Sequence, residues 1–217
     1  MGVKSRALRV CHELADRVLG AAATTGIHPG VLTAGSVVAY LCACVFFAAG
    51  RFPAAGAVMI VGGLCDLLDG PVAARQRRLT LFAHFLDSIL DRYADLIVFV
   101  GLLIYFARVN RFLDAIVAGA AMAGAVLVSY SQARAESLIE SCNVGFWKRP
   151  ERVILLIAFA LANYVMPALW ILAIGANITV IHRILYTWKR TKPSSSRHED
   201  SDVAETAAFS RSAGSGG

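Results

Sequence analysis

Apolar residues run along the chain in six blocks, at about 31–50, 53–70, 82–107, 113–133, 151–165 and 167–187, with short polar or basic segments between them. Each block approaches the ~20 residues that an α-helix needs to cross the hydrocarbon core of a bilayer. The fifth is short and is expected to continue to either side. The pattern predicts an all-α integral membrane protein with six transmembrane helices. An even number of crossings returns both termini to one side.

The segments flanking these blocks differ in character. In residues 1–28, Leu8, Cys11, Leu14, Val18 and Leu19 recur at helical spacing, with Arg9, Glu13, Asp16 and Arg17 on other faces. This predicts an amphipathic cytoplasmic helix, lying either in the membrane interface or against the bundle. Its charges occur throughout, so it is not expected to act as a signal peptide. Residues 29–190 form the expected membrane domain. Residues 191–217, rich in Ser, Gly and charge, are expected to be a disordered cytoplasmic tail.

Composition agrees with a membrane setting. Hydrophobic residues make up 57% of the 217-residue chain and charged residues 17%, and mean hydropathy is +0.61. The net charge of +6 does not point to nucleic acid, because the basic residues gather at the ends of apolar blocks and form no stripe among exposed aromatics. Counted by connection, 17 Lys and Arg fall on the side of the termini and 3 (Arg51, Arg108 and Arg111) on the other, with Arg92 inside a block. The positive-inside rule then makes the termini cytoplasmic. The five cysteines form no CxxC pair, so neither a zinc site nor a disulfide framework is expected.

Four aspartates interrupt the second and third apolar blocks: Asp66 and Asp69, then Asp87 and Asp91. Spacings of three and four put each pair on one helical face. Carboxylates inside membrane segments are costly and by default mark a function. Facing one another, they repel unless cations neutralise them. Hard divalent ions such as Mg²⁺ take oxygen ligands and bridge to phosphates, so the four read as a metal and phosphate site near the cytoplasmic ends of their helices. Asp95 continues the period, and either joins the site or pairs with Arg92 or a neighbouring helix. An ion relay in a small transporter is the alternative from another functional class, although it does not account for the spacing.

The segment Asp66-x-x-Asp69-Gly70-x-x-Ala73, followed by Asp87-x-x-x-Asp91, resembles the signature of the CDP-alcohol phosphatidyltransferases, D-x2-D-G-x2-A-R-x8-G-x3-D-x3-D. Ala74 stands at the signature's Arg, with Arg75 next to it, and Ala83 stands at its second Gly. Pro29-Gly30-Val31-Leu32-Thr33 resembles the family's P-N-x-L-T entry to the first helix. Ser129-Tyr130-Ser131-Gln132-Ala133-Arg134-Ala135-Glu136 and Gly145-Phe146-Trp147-Lys148-Arg149-Pro150-Glu151-Arg152 are similar to S-Y-x-K-A-R-A-E and G-x-x-x-R-P-E-R of the subgroup that accepts inositol phosphate. Gln132 replaces that subgroup's Lys.

The resemblance implies six transmembrane helices around a polar cavity open to the cytoplasm, in a multi-pass plasma-membrane protein that forms a homodimer among membrane lipids. It implies transfer of a phosphatidyl group from CDP-diacylglycerol to an alcohol, with release of CMP and two divalent ions, Mg²⁺ or Mn²⁺. Asp66, Asp69, Asp87 and Asp91 would surround the metals, with Asp91 as catalytic base. Pro29, Gly30, Val31, Leu32, Gly70, Arg75 and Thr80 would meet the CDP-lipid. Gln132, Arg134, Arg152 and Arg183 would meet a polyol phosphate, since Arg suits bidentate phosphate contacts. Myo-inositol phosphate is the expected acceptor and glycerol 3-phosphate the alternative.

Overall fold

Each apolar block becomes one helix. The computed structural model describes residues 29–75, 80–142 and 144–191, with the side chains of Pro29, His84 and residues 69–75 outside the description. The expected amphipathic segment 1–28 and the tail from 192 onward lie outside the described residues, as does the link 76–79. The helices are α1 (Pro29–Ala48), α2 (Phe52–Arg75), α3 (Leu81–Arg108), α4 (Phe112–Glu136), α5 (Arg149–Leu161) and α6 (Val165–Thr191). No strand occurs among the described residues.

Local chemistry sets the helix ends. Proline at the first position of α1 costs no hydrogen bond, because that N–H has no helical partner. Thr80 caps α3, its hydroxyl accepting a hydrogen bond from the Ala83 N–H at 3.0 Å. Tight turns join α1 to α2, α3 to α4 and α5 to α6. Gly50, Asn110 and Asn163 take positive φ there (74°, 54° and 57°), a region that glycine and asparagine enter most readily. The last turn corrects the expectation for the fifth block. The helix starts earlier than the block, at Arg149, but stops at Leu161. Asn163 reverses the chain and hands Val165 to α6.

Neighbouring helices close a ring. α1 packs on α2 and α3, α2 on α5, α5 on α6, α6 on α4, and α4 on α3. Small residues line the contacts, with Ala43, Ala55, Ala118, Ala121, Ala160, Ala168 and Ala176 fully buried. Such residues let helix backbones approach where no water drives association. Gly101 shows the limit: a Cβ there would meet the Cys44 carbonyl oxygen at 2.5 Å. Tyr40, Phe47, Met59, Leu102, Phe106 and Leu169 fill the core.

The outer surface is apolar. On α6, Trp170, Ile174, Ile178, Ile181, Leu185 and Trp188 follow one another at helical spacing, and all are exposed. A soluble surface rarely carries such a stripe. Among the described residues three helices, Gly30–Ala48, Phe112–Glu136 and Val165–Thr191, are long and apolar enough to cross a bilayer. α5, with 13 residues, is only about 20 Å long at 1.5 Å per residue.

Candidate active site

The ring brings together carboxylates from helices that do not touch along their length. α2 carries Asp66, α3 carries Asp91 and Asp95, and the first turn of α5 carries Arg149 and Arg152. Arg149 reaches all three acids. Its Nη2 lies 2.7 Å from Asp66 Oδ2, its Nη1 2.9 Å from Asp91 Oδ1, and its Nε 3.6 Å from Asp95 Oδ1. Arg152, buried, places Nη2 2.6 Å from Asp95 Oδ2 and donates from Nη1 to the Trp147 carbonyl at 3.1 Å. The Tyr40 hydroxyl donates to Asp66 at 3.1 Å, and the Arg149 guanidinium lies 5.9 Å from the Tyr40 ring centroid. Each of these three acids thus has a cationic partner.

Two cavities meet at Arg149. The first, of about 400 Å³, is lined by Ser88, Asp91, Arg92, Gln132, Lys148 and Arg152 among others, and is polar. The second, of about 410 Å³, runs between α2 and α5 along Ile60, Leu64, Leu67, Val153, Ile154 and Ile157, and ends at Asp66 and Arg149. An apolar groove ending at Asp66 and a polar chamber lined by Asp91 and Asp95 therefore adjoin across Arg149.

The predicted residues divide into several groups. Asp66 and Asp91 come together across Arg149. Asp87 lies one turn before Asp91 on α3 and is half-buried. The side chains of Asp69, Gly70 and Arg75 lie outside the description, although their backbone belongs to α2. Pro29, Gly30, Val31 and Leu32 form the first turn of α1. Gly35 faces Cys65 and Tyr40 reaches Asp66, so this turn stands at the end of the bundle where α2 carries its acids. Thr80, expected at the donor, uses its hydroxyl as the α3 cap.

The acceptor set differs more from expectation. Gln132 and Arg152 line the polar cavity. Arg134 does not join them: it is exposed and turned to Ser137. Two residues along a helix rotate a side chain to the opposite face, so Gln132 and Arg134 cannot both face inward. Arg183 stands behind the cavity, almost fully buried. It donates to the carbonyls of Val144 (3.0 Å) and Val128 and to Gln132 Oε1 (3.0 Å). Gly145, at φ 100°, brings the loop against Thr179 of α6, where a Cβ would collide. Asp95 proves to pair with a neighbouring helix through Arg152 and Arg149, while Arg92 donates to the Ser88 carbonyl. Arg149, which sequence analysis counted only as a topological charge and as part of a motif, is the residue at the centre.

Among the described residues no three acid, imidazole or thiol groups converge on a metal-sized site, and Asp69, one member of the expected set, has no described side chain. The donor chemistry nevertheless fits a hard cation. Carboxylate oxygens are the available donors, and the space between Asp66 and Asp91 already holds a positive group, the Arg149 guanidinium.

Comparison with known proteins bears on this geometry. The family model for CDP-alcohol phosphatidyltransferases matches residues 26–182. The archaetidylinositol phosphate synthase of Methanothermobacter thermautotrophicus is 37% identical over 152 residues, covering 67% of this chain and 75% of that protein. The phosphatidylinositol phosphate synthase of Streptomyces avermitilis is 32% identical over 208 residues, covering 88% and 81%. Among solved structures, the phosphatidylinositol phosphate synthase of Mycobacterium tuberculosis with CDP-DAG bound superposes with a TM-score of 0.73 at 27% identity, over 84% of this chain and 96% of that one. The same enzyme in complex with manganese and citrate gives a TM-score of 0.70 at 27% identity, over 83% and 90%. With the motif, the helical ring and most of its length in agreement, this chain belongs to the CDP-alcohol phosphatidyltransferase family.

Proposed function

We propose that the protein transfers a phosphatidyl group from CDP-diacylglycerol to myo-inositol phosphate and releases CMP. One observation carries this reading: the carboxylates of Asp66 and Asp91 lie where an apolar groove meets a polar chamber. A lipid-linked donor needs the first and a polyol phosphate the second. Relatives named for phosphatidylinositol phosphate and archaetidylinositol phosphate synthesis support the acceptor. A related structure with bound CDP-DAG supports the donor.

The residues divide the work. The groove along Ile60, Leu64, Val153 and Ile157 takes an acyl chain. The first turn of α1 (Pro29, Gly30, Val31, Leu32), together with Gly70, Arg75 and Thr80, flanks the nucleotide. Asp66, Asp69, Asp87 and Asp91 would hold two divalent ions, Mg²⁺ or Mn²⁺. Those ions, when bound, would neutralise the diphosphate and assist CMP as leaving group. Asp91 lines the chamber in which the acceptor stands, and takes the proton from its hydroxyl. The Arg149 guanidinium now on Asp91 must yield for that to happen. Arg152 and Gln132 shape the chamber, and Arg183 holds Gln132 and the loop before α5 in place.

In this reading all six helices sit in the plasma membrane around the chamber, with the termini and the site cytoplasmic. The short α5 is completed at its Arg149 end by the polar chamber. The protein works as a homodimer, with residues 29–190 as the membrane domain between an amphipathic segment and a disordered tail. The decisive experiment incubates purified protein with CDP-diacylglycerol, Mg²⁺ or Mn²⁺, and a panel of acceptors: myo-inositol phosphate, free inositol, glycerol 3-phosphate and serine. CMP release with inositol phosphate above all others is expected. Preference for glycerol 3-phosphate would move the protein to the other acceptor class, and ion flux without CMP release would make it a transporter.

A further inference from the structure

The chamber beside Asp91 contains more positive charge than it can offer a ligand. Its cationic lining comprises Arg92, Lys148, Arg149 and Arg152. Arg149 is committed to Asp66, Asp91 and Asp95. Arg152 is committed to Asp95, the Trp147 carbonyl and Ser129, and only its buried Nε lacks a hydrogen-bond partner among the described residues. Arg92 folds back 2.6 Å from the Ser88 carbonyl on its own helix. Gln132 stands where the inositol-phosphate subgroup carries Lys and supplies no charge. Its amide donates to Glu136 and accepts from Arg183, both at 3.0 Å.

Lys148 differs from all of these. It is exposed, it lines the chamber, and its ammonium makes no ion pair among the described residues. It occupies the N-cap position of α5 and makes no side-chain cap bond. A flexible ammonium at the positive end of a helix is suited to an anionic group. We infer that Lys148 binds the phosphate of the acceptor in this protein, so that the cation missing at position 132 is supplied from the loop before α5. Arg152 Nε marks the inner wall toward which that phosphate is drawn. The inference rests on the acceptor reading above and adds the residue that discriminates phosphorylated from free polyol.

The test measures CMP release from CDP-diacylglycerol with inositol phosphate and with free inositol, for wild type, Lys148→Gln, Lys148→Arg and the double variant Lys148→Gln with Gln132→Lys. Lys189→Gln, at the far end of α6, controls for a general loss of positive charge. Wild-type turnover with the phosphorylated acceptor establishes the proposed function independently of Lys148. Lys148→Gln is then expected to raise KM for inositol phosphate about tenfold, the loss of one charge-assisted hydrogen bond. The KM for CDP-diacylglycerol and the thermal midpoint should stay unchanged. Lys148→Arg should keep most of the affinity, and adding Gln132→Lys should restore it. An unchanged KM for inositol phosphate in Lys148→Gln, or an equal rise in Lys189→Gln, overturns the inference and leaves the function standing. A wild type that uses only unphosphorylated alcohols overturns both.

Discussion

The Arg149 guanidinium lies 2.9 Å from the carboxylate of Asp91, so the residue proposed as the general base is held by a cation from a different helix. The same guanidinium reaches Asp66 at 2.7 Å, and thus fills the centre of the acidic cluster. Arg149 and divalent ions would compete for the same oxygens. Arg149→Gln should therefore lower the thermal midpoint of the metal-free protein, since each charge-assisted hydrogen bond contributes roughly 1.5–3 kcal/mol. The further rise produced by Mn²⁺ should be larger than in wild type. Midpoints in detergent with and without Mn²⁺ check this, and an identical Mn²⁺ response in the two proteins would count against competition.

Asp91→Asn should fold and keep its thermal midpoint within a few degrees, yet lose CMP release by at least about 100-fold, the usual contribution of a positioned acid or base. The amide cannot accept the acceptor's proton and is a poorer metal ligand. Stopped-time CMP assays on monodisperse protein decide it. Near-normal release would remove Asp91 from the role of base.

Arg183 is expected to matter for folding before it matters for acceptor binding. Its guanidinium serves the carbonyls of Val128 and Val144 and the Gln132 side chain. Arg183→Ala would leave buried oxygens unpaired at about 1–3 kcal/mol each, and lysine lacks the planar fork that serves three acceptors. Arg183→Ala and Arg183→Lys should both lose thermal stability. A stable Arg183→Ala protein with only a raised KM for acceptor would instead make Arg183 a direct ligand.

Gly101→Leu should disrupt the bundle. Even a Cβ at Gly101 would stand 2.5 Å from the Cys44 carbonyl oxygen, and backbone cannot yield as a side chain end can. Overpacking typically costs about 1–3 kcal/mol, and forcing α1 from α3 here should exceed that range. Size-exclusion profiles in detergent should show aggregated Gly101→Leu protein beside monodisperse wild type.

Topology is testable with single cysteines in a cysteine-free background. Asn110→Cys, in the turn between α3 and α4, should react with an impermeant reagent applied outside intact cells. Ser194→Cys should react only after permeabilisation. The reverse pattern would place the catalytic acids on the wrong side for the proposed reaction.

Much was legible in the sequence because membrane helices and metal chemistry leave local marks. Six apolar blocks became six helices, since a helix satisfies its own backbone hydrogen bonds without help from the rest of the chain. The motif located Asp66 and Asp91 because spacing along one helix decides which side chains share a face. The length of α5 was less legible: apolar character runs through residues 151–165, and only the positive φ of Asn163 divides it. The same periodicity could have excluded Arg134 once Gln132 was placed inward. What the sequence could not decide was which helices adjoin. The ring order α1, α2, α5, α6, α4, α3 sets Arg149 among acids more than fifty residues away, and buries Arg183 against the loop and α4. Those partners follow from the packing of whole helix faces, a many-body property that no local pattern encodes.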